Sequence, residues 1–153
     1  MDRIIYRSVT LQCDTEKAFR MFTLNAHLEK WLTVSADVEP KVGGKYELFW
    51  NPKDKENDST IGCKILAISP GKFLNFEWKG AKQFKQFMNN VKPLTNVTVF
   101  FFSQQRSTEV HLVHTGWRES PEWEEARQWF DKAWEDAFAK LKTYVESRQK
   151  KGK

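Results

Sequence analysis

Cysteine is scarce in this chain: Cys13 and Cys63 are the only two among 153 residues. Their spacing fits no zinc or redox motif, and two thiols make no disulfide scaffold for a domain of this size. Free thiols in a reducing compartment are expected, and with them a cytoplasmic location. Histidine is nearly as rare, with only His27, His111 and His114. His111 and His114 have opposite parity on a strand, so they point to opposite faces. No carboxylate cluster joins them at ligand spacing, and no metal centre is expected. Val42-Gly43-Gly44-Lys45 precedes a strand-like run, not a helix, so it is no phosphate loop. No serine or cysteine stands in a nucleophile motif, and Cys63 reads as a core or near-surface residue. No catalytic residue and no cofactor is assigned. No apolar run approaches the roughly 18 residues that a bilayer span needs. The opening residues, Met1-Asp2-Arg3-Ile4-Ile5-Tyr6, lack the charged and apolar regions of a signal peptide. Repeats, low-complexity segments and linkers are also missing.

Charge of one sign is in modest excess: 25 Lys and Arg against 20 Asp and Glu give +5. Part of it sits in Arg148, Lys150, Lys151 and Lys153, so residues 148–153 read as a basic, solvated tail on a single domain spanning 1–147. The other cationic run, Lys79-Gly-Ala-Lys82-Gln-Phe84-Lys85, holds one aromatic. A nucleic-acid footprint needs a basic stripe with aromatics interleaved on one face, and no nucleic-acid partner is expected.

What the chain does have is aromatic mass. Seven Trp, twelve Phe and three Tyr bring the aromatic share to 14% within a 40% apolar composition. A dense core and an aromatic-walled cavity would each use this excess. The length suits one domain able to bury a core unaided.

Periodicity gives the elements. Residues 3–12 alternate and are β-branched, as a strand requires. Asp14-Thr15-Glu16 offers an N-cap and a first-turn acid for a short helix with Ala18, Phe19, Met21 and Phe22 on its apolar stripe. A second helical piece, His27 to Leu32, places Leu28, Trp31 and Leu32 together. From Asp37 to Trp50 the period is two, with Gly43-Gly44 as a turn or bulge. A polar loop over residues 51–58 leads to a strand from Thr60 to Ile68. Ser69-Pro70-Gly71-Lys72 turns the chain into a strand from Phe73 to Trp78. Residues 79–94 are either a functional loop or a short helix closing the core edge. A long hairpin over 95–117 precedes a helix that Ser120 caps and Pro121 opens, with Glu122, Glu124 and Glu125 in its first turn. Its stripe, from Trp123 to Val145, makes it roughly 35–40 Å long at 1.5 Å per residue. Strands joined by short polar turns are antiparallel. An open sheet of this kind needs a cover for its apolar face, and the last helix supplies it. The fold class is α+β: a curved antiparallel sheet of about six strands, two short helices after the first strand, and a long C-terminal helix.

Several runs carry a resemblance along nearly the whole chain. They are Asp14–Phe19, Leu28-Glu29-Lys30-Trp31, Val42–Tyr46, Ile65–Pro70, Leu74–Trp78, Thr108–Trp117, and Trp134 with Leu141. In this order they resemble the START-like, birch-pollen-allergen-like superfamily with the helix-grip fold. More narrowly, the chain looks like the C-terminal domain of the activator of the 90-kDa heat-shock protein ATPase. The resemblance implies a sheet gripping the last helix, with space between them for a ligand. It also implies a chaperone as an alternative partner. The superfamily spans carriers, receptors, cyclases and co-chaperones, and fold does not fix function among them.

Strand parity assigns the concave face. Tyr46, Leu48 and Trp50 share it, as do Phe76 with Trp78, Val97 with Val99 and Phe101, and Leu112 with His114. Phe130, Trp134 and Phe138 meet them from the last helix, and Trp31 from the second. These are the expected pocket residues, with Phe84, Phe87 and Met88 as lid residues. His114 reads as a structural histidine or as the anchor of a ligand head group. Binding of a small hydrophobic ligand is the first functional expectation. A protein-interaction domain is the second and a cyclase or hydratase the third, because His114 and Tyr46 are nearly the only polar groups on this face. Oligomeric state is not readable from these residues.

Overall fold

The structure, a computed structural model, describes residues 3–151. The chain runs β1 (Ile5–Leu11), α1 (Thr15–Thr23), α2 (Asn25–Trp31), β2 (Ser35–Val38), β3 (Tyr46–Phe49), β4 (Ile65–Ser69), β5 (Phe73–Glu77), α3 (Lys85–Met88), β6 (Asn96–Ser103), β7 (Thr108–Thr115) and α4 (Pro121–Lys151). Five strands form one antiparallel sheet in the order β1-β7-β6-β5-β4, and β2 pairs with β3. A bridge between Lys45 and Lys64 carries the β2–β3 hairpin on from β4. Tyr46 N–H donates to Cys63 O at 2.9 Å, and Ile65 N–H donates to Gly44 O at 2.8 Å. A register shift between Ile65 and Ala67 bends the β4–β5 pair, as a bulge does.

The strands differ from expectation in two places, each with a local cause. The stretch from Asp37 to Trp50 is two strands, because the chain turns back between them. Gly43 has φ +80°, and a side chain at Gly44 would meet Glu39 O at 2.2 Å. β4 begins at Ile65, not at Thr60. Residues 60–63 form a turn instead, closed by Cys63 N–H donating to Thr60 O at 3.0 Å. Thr60 Oγ1 accepts from Leu48 N–H at 2.8 Å and donates to Tyr46 O at 2.9 Å. One buried hydroxyl thus replaces a rung of the ladder, which a strand-period reading does not reveal.

The helices start where their caps stand. Asp14 Oδ1 accepts from Lys17 N–H at 2.9 Å, and Ser120 Oγ accepts from Trp123 N–H at 3.1 Å. α4 has 31 residues and is therefore about 46 Å long. It exceeds the expected length because it continues through the basic stretch to Lys151. Met1, Asp2, Gly152 and Lys153 lie outside the described residues.

α4 buries Trp123, Ala126, Phe130, Trp134, Phe138, Leu141 and Val145 against the sheet. The facing residues Leu74, Phe76, Val97, Val99, Val110, Leu112 and Ile5 are buried with them. Burial at roughly 25 cal/mol per Å² of apolar surface makes this the main source of stability. Arg7 on β1 faces α4 and clasps it, with Nε 2.9 Å from Asp131 Oδ1 and Nη1 2.8 Å from Glu135 Oε2. α1 and α2 close one end of the grip through Phe19, Phe22, Leu28 and Trp31, all buried.

Candidate functional site

The grip is not filled along its whole length. A cavity of about 460 Å³ lies against the middle of α4. Its origin is visible in the helix sequence. The buried stripe carries large rings at Phe130, Trp134 and Phe138, but Ala133 and Ala137, one turn apart, carry only methyl groups. Both alanines line the cavity, between Trp129, Phe130 and Trp134 on one side and Lys140 on the other. The space they leave is walled by Trp31 and Leu32 from the end of α2, Trp50 after β3, and Trp78 after β5. Asn51, Asp58 and Ser59 from the β3–β4 loop, with Lys79, Gly80 and Ala81, complete the lining together with Asp136.

The walls hold one another by aromatic contact. Trp78 lies 5.1 Å from Trp134 and 5.9 Å from Trp50, ring centre to ring centre. Trp129 meets Phe130 edge to face at 4.8 Å. Such pairs add about 0.5–1.5 kcal/mol each beyond burial and fix ring orientation. Trp31 is held from behind, where Nε1–H donates to Met21 O at 2.8 Å. Trp78 Nε1 is the only buried side-chain nitrogen or oxygen without a hydrogen-bond partner among the described residues.

Five of the seven tryptophans line this cavity, and two of those five are conspicuously exposed: Trp50 at 37% and Trp129 at 44%. Trp117 and Trp123 lie elsewhere and are buried. Large exposed aromatics gathered at one mouth are the surface feature that a binding site leaves.

Of the expected pocket residues, Trp31, Trp50, Trp78, Phe130 and Trp134 line the cavity. Tyr46, Leu48, Phe76, Val97, Val99, Phe101, Leu112, His114 and Phe138 do not, although all are buried as their parity requires. They form the closed part of the core. Tyr46 stacks on Phe76 at 3.8 Å, and its hydroxyl donates to Phe22 O at 2.7 Å. Phe22 packs edge-on against Phe101 and Phe138, so α1 plugs the end where those residues stand.

His114 stands behind the cavity wall. Trp134 Nε1–H donates to His114 Nδ1 at 3.2 Å. That acceptor role leaves the proton on Nε2, which donates to Thr95 Oγ1 at 3.1 Å. Full burial pushes the imidazole down to about 3, so it is neutral and fully hydrogen-bonded. Of the two expected readings, the geometry is that of the structural histidine. Burial likewise raises the Tyr46 phenol.

Phe84, Phe87 and Met88 sit beside the cavity, not on its surface. Phe84 packs on Trp129 and Phe130 at 5.7 and 6.2 Å, and Phe87 on Trp123 at 5.1 Å. Met88 lies under Gly80, where an added Cβ would come within 2.8 Å of its sulfur. The segment is tied to the β3–β4 loop: Lys82 N–H donates to Asp58 Oδ1 at 2.8 Å, and Lys85 Nζ to Asn57 Oδ1 at 2.6 Å. Lys79 Nζ donates to Ile61 O at 2.6 Å.

Sequence reasoning missed Trp129, the rim residues and the role of the two alanines. Trp129 carried a signal: it is a tryptophan off the buried stripe, on a helix face that is otherwise charged. Among the described residues no group of three His, Cys, Asp or Glu could hold a metal ion, and no helix is long and apolar enough to cross a membrane.

Comparison with known proteins agrees with this architecture. The family model described as Activator of Hsp90 ATPase homolog 1-like protein matches residues 12–146. No curated protein matches the chain. Among solved structures, the protein MLL2253 from Mesorhizobium loti superposes with a TM-score of 0.75 at 23% identity, covering 95% of this chain and 98% of that one. The Aha1 dimer from Colwellia psychrerythraea gives 0.70 at 17% identity, covering 94% and 96%. CalU16 from Micromonospora echinospora gives 0.69 at 17% identity, covering 94% and 74%. At these identities the likeness establishes the fold alone. With the family model matched over most of its length, the chain belongs to the Activator of Hsp90 ATPase homolog 1-like family.

Proposed function

We propose that the protein binds a small hydrophobic ligand in the cavity between its sheet and α4. Trp31, Trp50, Trp78, Trp129, Phe130 and Trp134 are the contacting side chains. The observation that carries this reading is the pair of exposed tryptophans, Trp50 and Trp129, at the mouth of one aromatic-walled space. Exposed indole is unfavourable in water, and a ligand laid against both would cover it. The volume of about 460 Å³ falls in the range that small-molecule sites occupy. Two free, buried thiols, Cys13 and Cys63, favour a reducing, cytoplasmic setting.

The test is a fluorescence titration with 8-anilinonaphthalene-1-sulfonate, reading tryptophan quenching and dye emission together. Saturable binding by the native protein, lost in Ala133→Phe, is expected. Equal binding by both proteins would contradict the reading.

A second reading, a protein-interaction domain of the kind the family's name describes, draws on the convex face. Tyr6 and Phe102 are exposed there and both pack on His111. Calorimetric titration with a purified 90-kDa heat-shock protein tests it; heat that survives Tyr6→Ser with Phe102→Ser would count against this face. An enzymatic role has less to draw on, because the titratable side chains on the lining are Asp58, Lys79, Asp136 and Lys140, with no histidine or cysteine among them.

A further inference from the structure

The rim charges narrow the ligand class. Two aspartates and two lysines border the cavity. Asp136 Oδ1 lies 3.3 Å from Lys132 Nζ, and Asp58 Oδ1 is turned to the backbone N–H of Lys82 at 2.8 Å, on the far side of the opening from α4. The two lysines differ. Lys79 Nζ is turned toward Ile61 O and Gly62, where Glu47 Oε2 also accepts from Gly62 N–H, so its charge is engaged away from the slot. Among the described residues no carboxylate lies within ion-pair distance of Lys140 Nζ. Lys140 stands one turn beyond Ala137 on the same face of α4, where the aromatic slot opens to solvent. The site therefore joins ring-faced walls to an unanswered positive charge.

We propose that the ligand is a planar aromatic acid, with its rings against the tryptophans and its anionic group at Lys140. This rests on the cavity-binding reading above and adds to it the acid and the ring. Flat ring systems match walls made of indole and phenyl faces, where offset and edge contacts are favourable. Flexible chains would lose more rotational freedom on entering the same slot. Lys140 is exposed, so its attraction for the anion is screened and modest, and it weakens with salt.

The experiment compares four compounds by fluorescence titration at low ionic strength: 2-naphthoate, 2-naphthalenemethanol, 2-naphthylmethylamine and decanoate. The native protein should bind 2-naphthoate at least about threefold more tightly than the alcohol and more tightly than the amine or decanoate. The advantage over the alcohol should shrink in added salt. Lys140→Glu, a change at an exposed position, should reverse the order of acid and amine and weaken the acid more than the alcohol. Equal affinity for acid and alcohol, or an equal loss of both in Lys140→Glu, would overturn the acid assignment and leave the cavity reading standing. Decanoate binding as tightly as 2-naphthoate would overturn the ring assignment. Failure of all four to bind would overturn the cavity reading, and this inference with it.

Discussion

The indole N–H of Trp134 donates to Nδ1 of His114 across 3.2 Å, tying α4 to β7 directly behind the cavity wall. The contact holds only while the imidazole is neutral, since a protonated ring has no lone pair to accept with. Burial holds this group at about 3, against an ordinary value of 6.5. The folded state thus binds fewer protons than the unfolded state between those values. Stability from this group is complete above 6.5 and is lost as pH falls toward 3. The native protein should lose about 2 kcal/mol between pH 7 and pH 5 through His114. His27, whose pKa is lowered by burial and by Arg148 and Arg20, adds to the same trend. Urea unfolding at both pH values checks this, and His114→Gln should show the shallower dependence. An equal slope in the variant would contradict the assignment.

Tyr46 separates core from cavity. Its hydroxyl donates to Phe22 O from a fully buried position that does not line the site. Tyr46→Phe should cost about 1–2 kcal/mol in urea unfolding and leave dye affinity unchanged. A loss of affinity without a loss of stability would mean that Tyr46 serves the ligand instead.

The two alanines give the opposite pattern. Ala133→Leu and Ala137→Leu add methylenes to empty space at a half-buried position. Stability should change by less than about 1 kcal/mol, in either direction, because no well-packed neighbour is displaced. Dye binding should fall by tenfold or more. Thermal melts with a parallel titration separate the two effects, and undiminished binding in both variants would place the ligand elsewhere.

Trp134→Ala should be the costliest of these changes. It removes a buried indole, its contact with Trp78, and the donor to His114. Destabilisation of about 3–5 kcal/mol is expected, read as a lower urea midpoint. A loss below about 1 kcal/mol would show that the wall is not packed as described.

Much of this was legible in the residues, and the remainder has physical reasons. Period-two alternation placed Phe76, Val97, Val99 and Leu112 on the inner face, and all are buried. The 3.6-residue stripe and the Ser120-Pro121 cap located α4. Parity reports a face, however, and not a position along it. It cannot distinguish Trp78, which lines the cavity, from Phe76, which is two residues away and stacks under Tyr46. That difference depends on where α1 inserts Phe22. The cavity itself comes from small side chains, and Ala133 and Ala137 sat in the helix stripe without marking a void. The partners of His114, Thr95 and Trp134, are about 20 residues away on either side along the chain, so only the fold brings them together. β4 started later than its strand pattern indicated because the Thr60 hydroxyl took over a backbone role.

The seven tryptophans allow ligand binding in the cavity to be read site by site. Each indole N–H gives its own proton–nitrogen resonance, and these can be followed while 8-anilinonaphthalene-1-sulfonate is added. Trp31, Trp50, Trp78, Trp129 and Trp134 should shift together to one saturation point while Trp117 and Trp123 hardly move. Shifts confined to Trp117 and Trp123, or saturation with none of the five lining tryptophans affected, would contradict binding in the cavity.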